Sequence, residues 1–481
     1  MPHEHGRTPT NRSCVERQRT TSGDHAMTST VRVVRPVAVE PATIVRLLGA
    51  PGLPVEHVRS PSILVDGRFH SAAGRWLRRR HNIRPVEATT STHARRLAGY
   101  IRYLRNVRGL DHPDEWQADV FAASEDDIRA LYRARQYDRD TRVSSNAWRG
   151  ELSTIKQFHE FAREVYGIPI PFRVVTFTNP AGYRATTAPD LKPRTRTRSR
   201  GTPITPGFVE LLIQGGYRID HNGRQTSSRS VDRDGAFISL AVGTGMRLGT
   251  LVDVTTYEVP TRSAQRFATI RVPDFITKGD AGGEALVFAH RLDAVHNYIA
   301  GARAELVANG RRYSPDNPIH LVEADRNAWS ADFGGTVRSY PWPETDADTR
   351  RRLVNPDGSS PILWLNAYAP KPLTYDHAGS ITSDARKWTR AHVHGDFPAR
   401  FRTHDLRHTY ATHLTVCIYK QALAPHVHPD LNDAYTPVRI ADAVEMAKLS
   451  LGHASEDSTR LYVQHAPTFL HIDIDEFFGG R

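Results

Sequence analysis

Arg402-Thr403-His404-Asp405-Leu406-Arg407-His408-Thr409-Tyr410-Ala411-Thr412-His413-Leu414 carries the periodicity of a helix. Thr403 can cap its start, and Leu406, Tyr410 and Leu414 recur every four residues as one apolar face. His404 and Arg407 then fall one turn apart on the same side. A guanidinium fork beside an imidazole suits a phosphate: the arginine can donate two parallel charge-assisted bonds, and the histidine can take or give a proton. Further along, Leu451-Gly452-His453 brings a second histidine, and Tyr462 follows that histidine by nine positions. Ser455, Ser458 and Thr459 suggest a short capped helix presenting the phenol. An unassisted phenol has a pKa of about 10, so as a nucleophile it needs cationic neighbours or a base. The two histidines and the arginines can supply that field.

Two upstream stretches join this set: Gly243-Thr244-Gly245-Met246-Arg247-Leu248-Gly249-Thr250-Leu251 and Thr277-Lys278-Gly279. Taken singly, each residue has an ordinary explanation. Arg247 reads as a surface or capping arginine, Lys278 as a hairpin lysine, His404 as a satisfied partly buried histidine, and Tyr462 as core. In conjunction and in this order, the motifs resemble those of the tyrosine recombinase family, the phage-integrase type of site-specific DNA recombinase. His404-x-x-Arg407, Leu451-Gly452-His453 and Tyr462 match at the family's spacing, Arg247 matches its first arginine box, and Lys278 matches its β-hairpin lysine. Thr250 departs from the pattern, standing where many members carry a glutamate.

The resemblance implies a mainly α fold with a small antiparallel β-sheet in the catalytic domain. It implies a two-domain DNA clamp, a helical core-binding domain plus a mixed α/β catalytic domain. It also implies a metal-free, ATP-independent reaction with no cofactor. Tyr462 would attack a scissile phosphate, Arg247 and Arg407 would bind its nonbridging oxygens, and Lys278 would protonate the leaving oxygen. His404 would act as acid and base, and His453 would orient the phosphate or the phenol. The implied partners are double-stranded DNA, three further copies of the chain in a homotetramer on paired sites, and accessory DNA-bending or directionality proteins. A type IB topoisomerase shares this chemistry, and a catalytically silent DNA-binding member is the reading from a different class.

Composition agrees with a polyanionic partner without naming one: Lys and Arg number 64 against 52 acidic residues, a formal charge of +12 over 481 residues. Cys14 and Cys417 are the only cysteines, which argues against a disulfide framework and for a reducing cytoplasm, with DNA placing the protein at the nucleoid. No apolar run is long enough for a membrane span, and the first thirty positions lack the apolar core of a signal peptide.

Along the chain, residues 1–30 read as disordered, with Met27 an alternative start, and residues 31–88 as an N-terminal extension with an apolar run at 44–48 and the basic cluster Arg75, Arg78, Arg79 and Arg80. Residues 89–180 read as the helical DNA-binding domain. Thr92 can cap a helix with Leu97, Tyr100, Ile101 and Leu104 on one stripe and Arg95, Arg96, Arg102 and Arg105 on other faces. Ser124 with Asp127 forms a capping box, and Trp148, Leu152, Ile155, Phe158, Ala162 and Val165 share one face of a helix ending near Gly167. Residues 181–204 read as a basic linker whose Arg194, Arg196, Arg198 and Arg200 can neutralise phosphates. The catalytic domain, 205–468, should open at Thr205-Pro206 and carry strands at 268–272 and 285–288. Val295, Tyr298, Ile299, Ala302 and Leu306 mark another amphipathic helix, closed near Gly310. Residues 311–360 and 418–438 read as insertions, the second holding Pro425, His426, His428 and Pro429 with no metal assigned. The apolar and acidic tail, 469–481, can pack on its own domain or on a neighbouring copy.

Overall fold

Helix after helix begins where a short polar side chain takes an amide that the helix start leaves open. The computed structural model describes residues 29–34, 60–83, 87–110, 118–178, 184–193, 201–277, 282–309, 312–423, 440–452, 459–460 and 463–479. Its two compact units are Met1–Arg198 and Ser199–Arg481, mostly helical with small sheets. No described helix is long and apolar enough to cross a membrane.

In the first unit, β1 (Val31–Val34), β2 (Ser62–Val65) and β3 (Arg68–Phe69) form an antiparallel sheet. Then come α1 (Ser71–Ile83), α2 (Glu87–Arg108), α3 (Ala118–Phe121), α4 (Glu125–Gln136), α5 (Ser145–Tyr166) and the hairpin of β4 (Val175–Thr178) and β5 (Arg184–Thr187). Ser124 and Asp127 make the expected reciprocal capping box at α4. Ser144 accepts from the Ala147 amide at the start of α5, and Gly167 ends that helix at φ 71°. Trp148, Ile155 and Phe158 of α5 meet Leu97, Tyr100, Ile101 and Leu104 of α2 and Trp76 of α1 in one core. Val31, Ile63 and Val65 belong to that same core, so residues read as an extension line the interior of the helical unit. Thr92 is not a cap: α2 already begins at Glu87. The inward stripe reaches back to buried Thr90 and His93, whose Nδ1 lies 2.9 Å from Thr154 Oγ1 on α5.

The second unit opens with α6 (Pro206–Gly216), where Thr205 accepts from the Phe208 amide ahead of Pro206, as the sequence predicts. It continues through α7 (Val231–Thr244), α8 (Leu248–Val252), β6 (Phe267–Val272), β7 (Gly283–Phe288), α9 (His290–Tyr298) and α10 (Ala304–Asn309). The expected amphipathic helix is present to Asn309, with one wide turn, Ile299–Arg303, non-helical at Gly301, between α9 and α10. Next come β8 (Ile319–Ala324), β9 (Ala328–Asp332), β10 (Val337–Pro341), α11 (Ala347–Arg352), β11 (Leu353–Val354), β12 (Leu365–Asn366) and β13 (Ala369–Pro372). Three long helices close the unit: α12 (Tyr375–His392), α13 (Thr403–Leu423) and α14 (Ile440–Leu451). Phe237, Leu240, Leu292, Tyr298, Trp364, Ile381 and Leu406 share its main core. The apolar tail packs on its own unit. Phe469, Ile472, Phe477 and Phe478 join Phe288, Tyr410 and Leu414, and Arg266 pairs with Asp475 at 2.7 Å while lying over the Phe478 ring.

The 311–360 stretch, which has no helical period, folds as a four-stranded sheet in the order β10-β9-β8-β11, closed over Leu321, Trp329, Trp342 and Leu353. Its strands are two to six residues long, and only β9 buries alternate positions, Trp329 and Ala331, a weak signal in sequence. A buried ion pair fixes it to the rest of the unit. Arg350 grips both oxygens of Glu258, at 2.6 and 3.0 Å, and also donates to the carbonyls of Asp253, Thr345 and Trp342. Removing one partner strands a buried charge, so Arg350→Ala should cost about 3–5 kcal/mol, read as a lowered midpoint of thermal unfolding of the whole chain. Replacing Glu258 and Arg350 together by Leu and Met should recover most of it. A single variant that melts like wild type would show the pair to be dispensable.

Candidate active site

The connector between α7 and α8 is three residues long, and its shape is dictated by Gly245. That residue sits at φ 61°, in the left-handed region, and a Cβ there would lie 2.3 Å from the Tyr410 ring. The turn leaves Arg247 as the residue preceding α8, half-exposed at the mouth of a pocket. The Arg247 carbonyl accepts from the Leu251 amide at 2.9 Å, and its guanidinium makes no hydrogen bond or ion pair to any described residue.

Arg407 enters the same pocket from α13 and is only 4% exposed. Its Nη1 donates to the Gly245 carbonyl and its Nη2 to the Leu451 carbonyl, both at 2.6 Å. Gly245 caps the end of α7 and Leu451 is the last residue of α14, so one cation satisfies open carbonyls at the negative ends of two helices. The two bonds fix the plane of the guanidinium.

His404 lies one turn earlier, at the surface end of α13, its ring edge-on to His408 with centroids 5.1 Å apart. Partial enclosure of its ring and the charges of Arg407 and Arg247 hold its pKa below the usual histidine range, with Asp405 opposing. Burial first, then His404, Arg407 and His465, push His408 down to about 4, so it stays a neutral platform. Thr403 does not cap α13. It is the first helical residue, its hydroxyl donates to Thr382, and the start is held instead by Asp405 accepting from the Arg402 amide. Nearby, Thr409 accepts from the Ile204 amide and His413 donates from Nε2 to the Ile204 carbonyl at 2.8 Å, strapping the segment ahead of α6 to α13.

β6 and β7 pair from Phe267↔Phe288 to Val272↔Gly283, the strands expected on either side of Lys278. Lys278 itself lies outside the described residues, as do His453 and Tyr462. Their described neighbours, Thr277 and Gly282 on one side and Gly452 on the other, line the pocket that holds Arg247 and Arg407. Thr250, in place of the glutamate, donates to the Ile276 carbonyl at 3.2 Å, bracing the turn two residues ahead of Lys278. Thr244, inside the Gly243–Leu251 motif, also lines the pocket, as does Glu284, to which no spacing in the sequence pointed.

In the first unit Arg95 is exposed, Arg96 lies across Gly150, and Arg102 donates to the Val31 carbonyl at 2.8 Å, while Arg105, expected on an outer face, is buried and donates to Ser29 and Asp119. Arg194, Arg196, Arg198 and Arg200 lie outside the described residues. So do the expected disordered start through residue 28, Cys14, Met27, the 44–48 run, Ser455, Ser458 and the Pro425–Pro429 stretch with its histidines.

No protein-family model matches the chain, and no curated protein matches it. Among solved structures it is similar to the XerH site-specific recombinase bound to its difH substrate, with 13% identity, 84% of each chain covered and a TM-score of 0.44. It is similar to the XerA recombinase at 14% identity, covering 82% of this chain and 92% of that one, with a TM-score of 0.28. A third is the Tn1549 transposon integrase in complex with circular intermediate DNA, at 14% identity, 82% and 98% coverage and a TM-score of 0.41.

Proposed function

We propose that the chain is a site-specific DNA recombinase of the tyrosine type, joining to DNA through a 3′-phosphotyrosyl link at Tyr462. One observation carries this reading: residues from four distant stretches border a single pocket. They are Arg247, Arg407, Thr277 next to Lys278, and Gly452 next to His453.

In the proposed reaction the Tyr462 oxygen attacks the scissile phosphorus and the bond to the 5′-oxygen breaks. His404 takes the phenol proton and Lys278 gives one to the leaving 5′-hydroxyl. Arg247 and Arg407 stabilise the charge gathering on the nonbridging oxygens, worth about 3–4 kcal/mol per donor in comparable sites, and His453 orients the phosphate. Rejoining reverses these steps with another 5′-hydroxyl, so the phosphoester energy is kept and no nucleotide is consumed. Exchange of two strand pairs calls for four copies on two DNA sites, aided by DNA-bending or directionality proteins, in integrating or excising a mobile element.

The lowered pKa of His404 gives a pH signature. Its neutral form, the one that accepts a proton, persists as the pH falls past the ordinary value of 6.5. Adduct formation should therefore hold through that point and decline only at lower pH; an inflection at or above it would count against His404 as the base.

The deciding experiment is to denature expressing cells rapidly, recover covalently attached DNA and sequence it. Tyr462-linked adducts clustered at a few sequences support the recombinase. Adducts scattered without preference, with relaxation of supercoils by the monomer, favour the topoisomerase reading. Binding to native DNA with no adduct leaves a silent binder.

A further inference from the structure

We propose that Tyr410 and Ser450 are positioning residues for the proton donor of strand cleavage, locking the Lys278 hairpin to the two helices that flank the pocket. This rests on the recombinase reading. A two-stranded hairpin is marginal by itself, and both outer edges of β6–β7 need partners. At the rung Thr269↔Leu286 the polar groups of both residues point outward. On the β6 side, the Thr269 carbonyl accepts from Arg326 Nη2 at 2.8 Å, an arm of the four-stranded sheet. On the β7 side, two side chains do the work of a third strand. The Leu286 amide donates to Ser450 Oγ at 2.9 Å, and its carbonyl accepts from the Tyr410 hydroxyl at 2.6 Å.

The remaining contact closes a ring. Tyr410 Oη and Ser450 Oγ are 2.7 Å apart, and the phenol proton is already given to Leu286, so the serine hydroxyl donates to the phenol oxygen. Each of the three donors meets one acceptor, in a place where Tyr410 is 0% and Ser450 8% exposed. Burial also raises the phenol's pKa, which keeps it a donor. The placement links the motifs. Tyr410 is one turn beyond Arg407, Ser450 precedes His453 by three residues, and Leu286 follows Lys278 by eight in sequence. An apolar residue would fill position 410 on the helix face equally well; only a hydroxyl can hold the strand edge.

The test uses the full chain and a synthetic duplex of the site recovered from the adducts. One version carries the ordinary phosphodiester, the other sulfur in place of the bridging 5′-oxygen. A thiolate leaves without a proton, so the sulfur substrate bypasses the donor. Tyr410→Phe and Ser450→Ala should cleave the ordinary duplex roughly 10–100-fold more slowly, the scale of a small misplacement of a reacting group. On the sulfur duplex both should match wild type, as should Lys278→Ala. Slow cleavage of both duplexes, or normal cleavage of both, overturns the proposal. A readout without DNA judges the ring itself. Hydrogen exchange across Gly283–Phe288 should speed up in Ser450→Ala while α7 stays protected, and unchanged exchange overturns the geometry. If wild type forms no Tyr462-linked adduct, the recombinase reading fails and the positioning role with it, whereas exchange still reports whether the ring exists.

Discussion

Tyr462→Phe is expected to abolish the covalent protein–DNA adduct, a loss on the order of 10⁶-fold if it follows nucleophile removal in other covalent enzymes. The substitution deletes one oxygen, so DNA binding, measured by gel shift with the same duplex, should stay at the wild-type level. Tyr410 cannot substitute. It lies two residues after His408 on α13, but its hydroxyl is buried, committed to Leu286 and Ser450, and held protonated by a raised pKa. A phenol must lose its proton to attack, and burial opposes that loss. Adducts that survive in Tyr462→Phe would place the nucleophile elsewhere. A silent binder would show no adduct in either protein.

Arg407→Lys should slow adduct formation by about 10²–10³-fold, the cost of losing a fixed donor at a developing oxyanion. Charge is retained, so the loss would come from geometry. The guanidinium reaches the Gly245 and Leu451 carbonyls from two nitrogens at once, and a single ammonium on a flexible stem cannot keep both and present a planar fork to a phosphate. Because two helix ends lose part of their cap, the midpoint of thermal unfolding should be recorded alongside the rate. A large rate loss with little change in melting supports the chemical role. A rate within about threefold of wild type, under about 1 kcal/mol of barrier, would remove Arg407 from the reaction.

How much could be read in advance depends on how far apart the partners lie. The Ser124–Asp127 box, the Thr205-Pro206 start, the buried face of α5 and the Leu406–Tyr410–Leu414 stripe were legible because each is set by residues within a turn or two. The two misplaced starts failed for the same reason. Thr92 and Thr403 are good caps locally, but burial of His93 against α5 drew one helix back to Glu87, and Thr382 took the hydroxyl of the other. The 311–360 stretch was opaque because its strands are short and its anchor, Arg350 on Glu258, spans 92 positions.

The sequence by itself determined the starts of α4 and α6, which faces are apolar, and that a histidine and an arginine share one side of α13. Periodicity and capping are local, so neighbouring residues carry all the information they need. Tertiary structure alone decided that Arg407 would close two helix ends, one 162 and the other 44 residues away, and that a phenol on an apolar stripe would hold a strand edge 124 residues distant. Those choices belong to buried carbonyls and amides left open at helix ends and on a two-stranded edge. Such groups must find a donor or acceptor, and which side chain arrives is settled only when the helices pack.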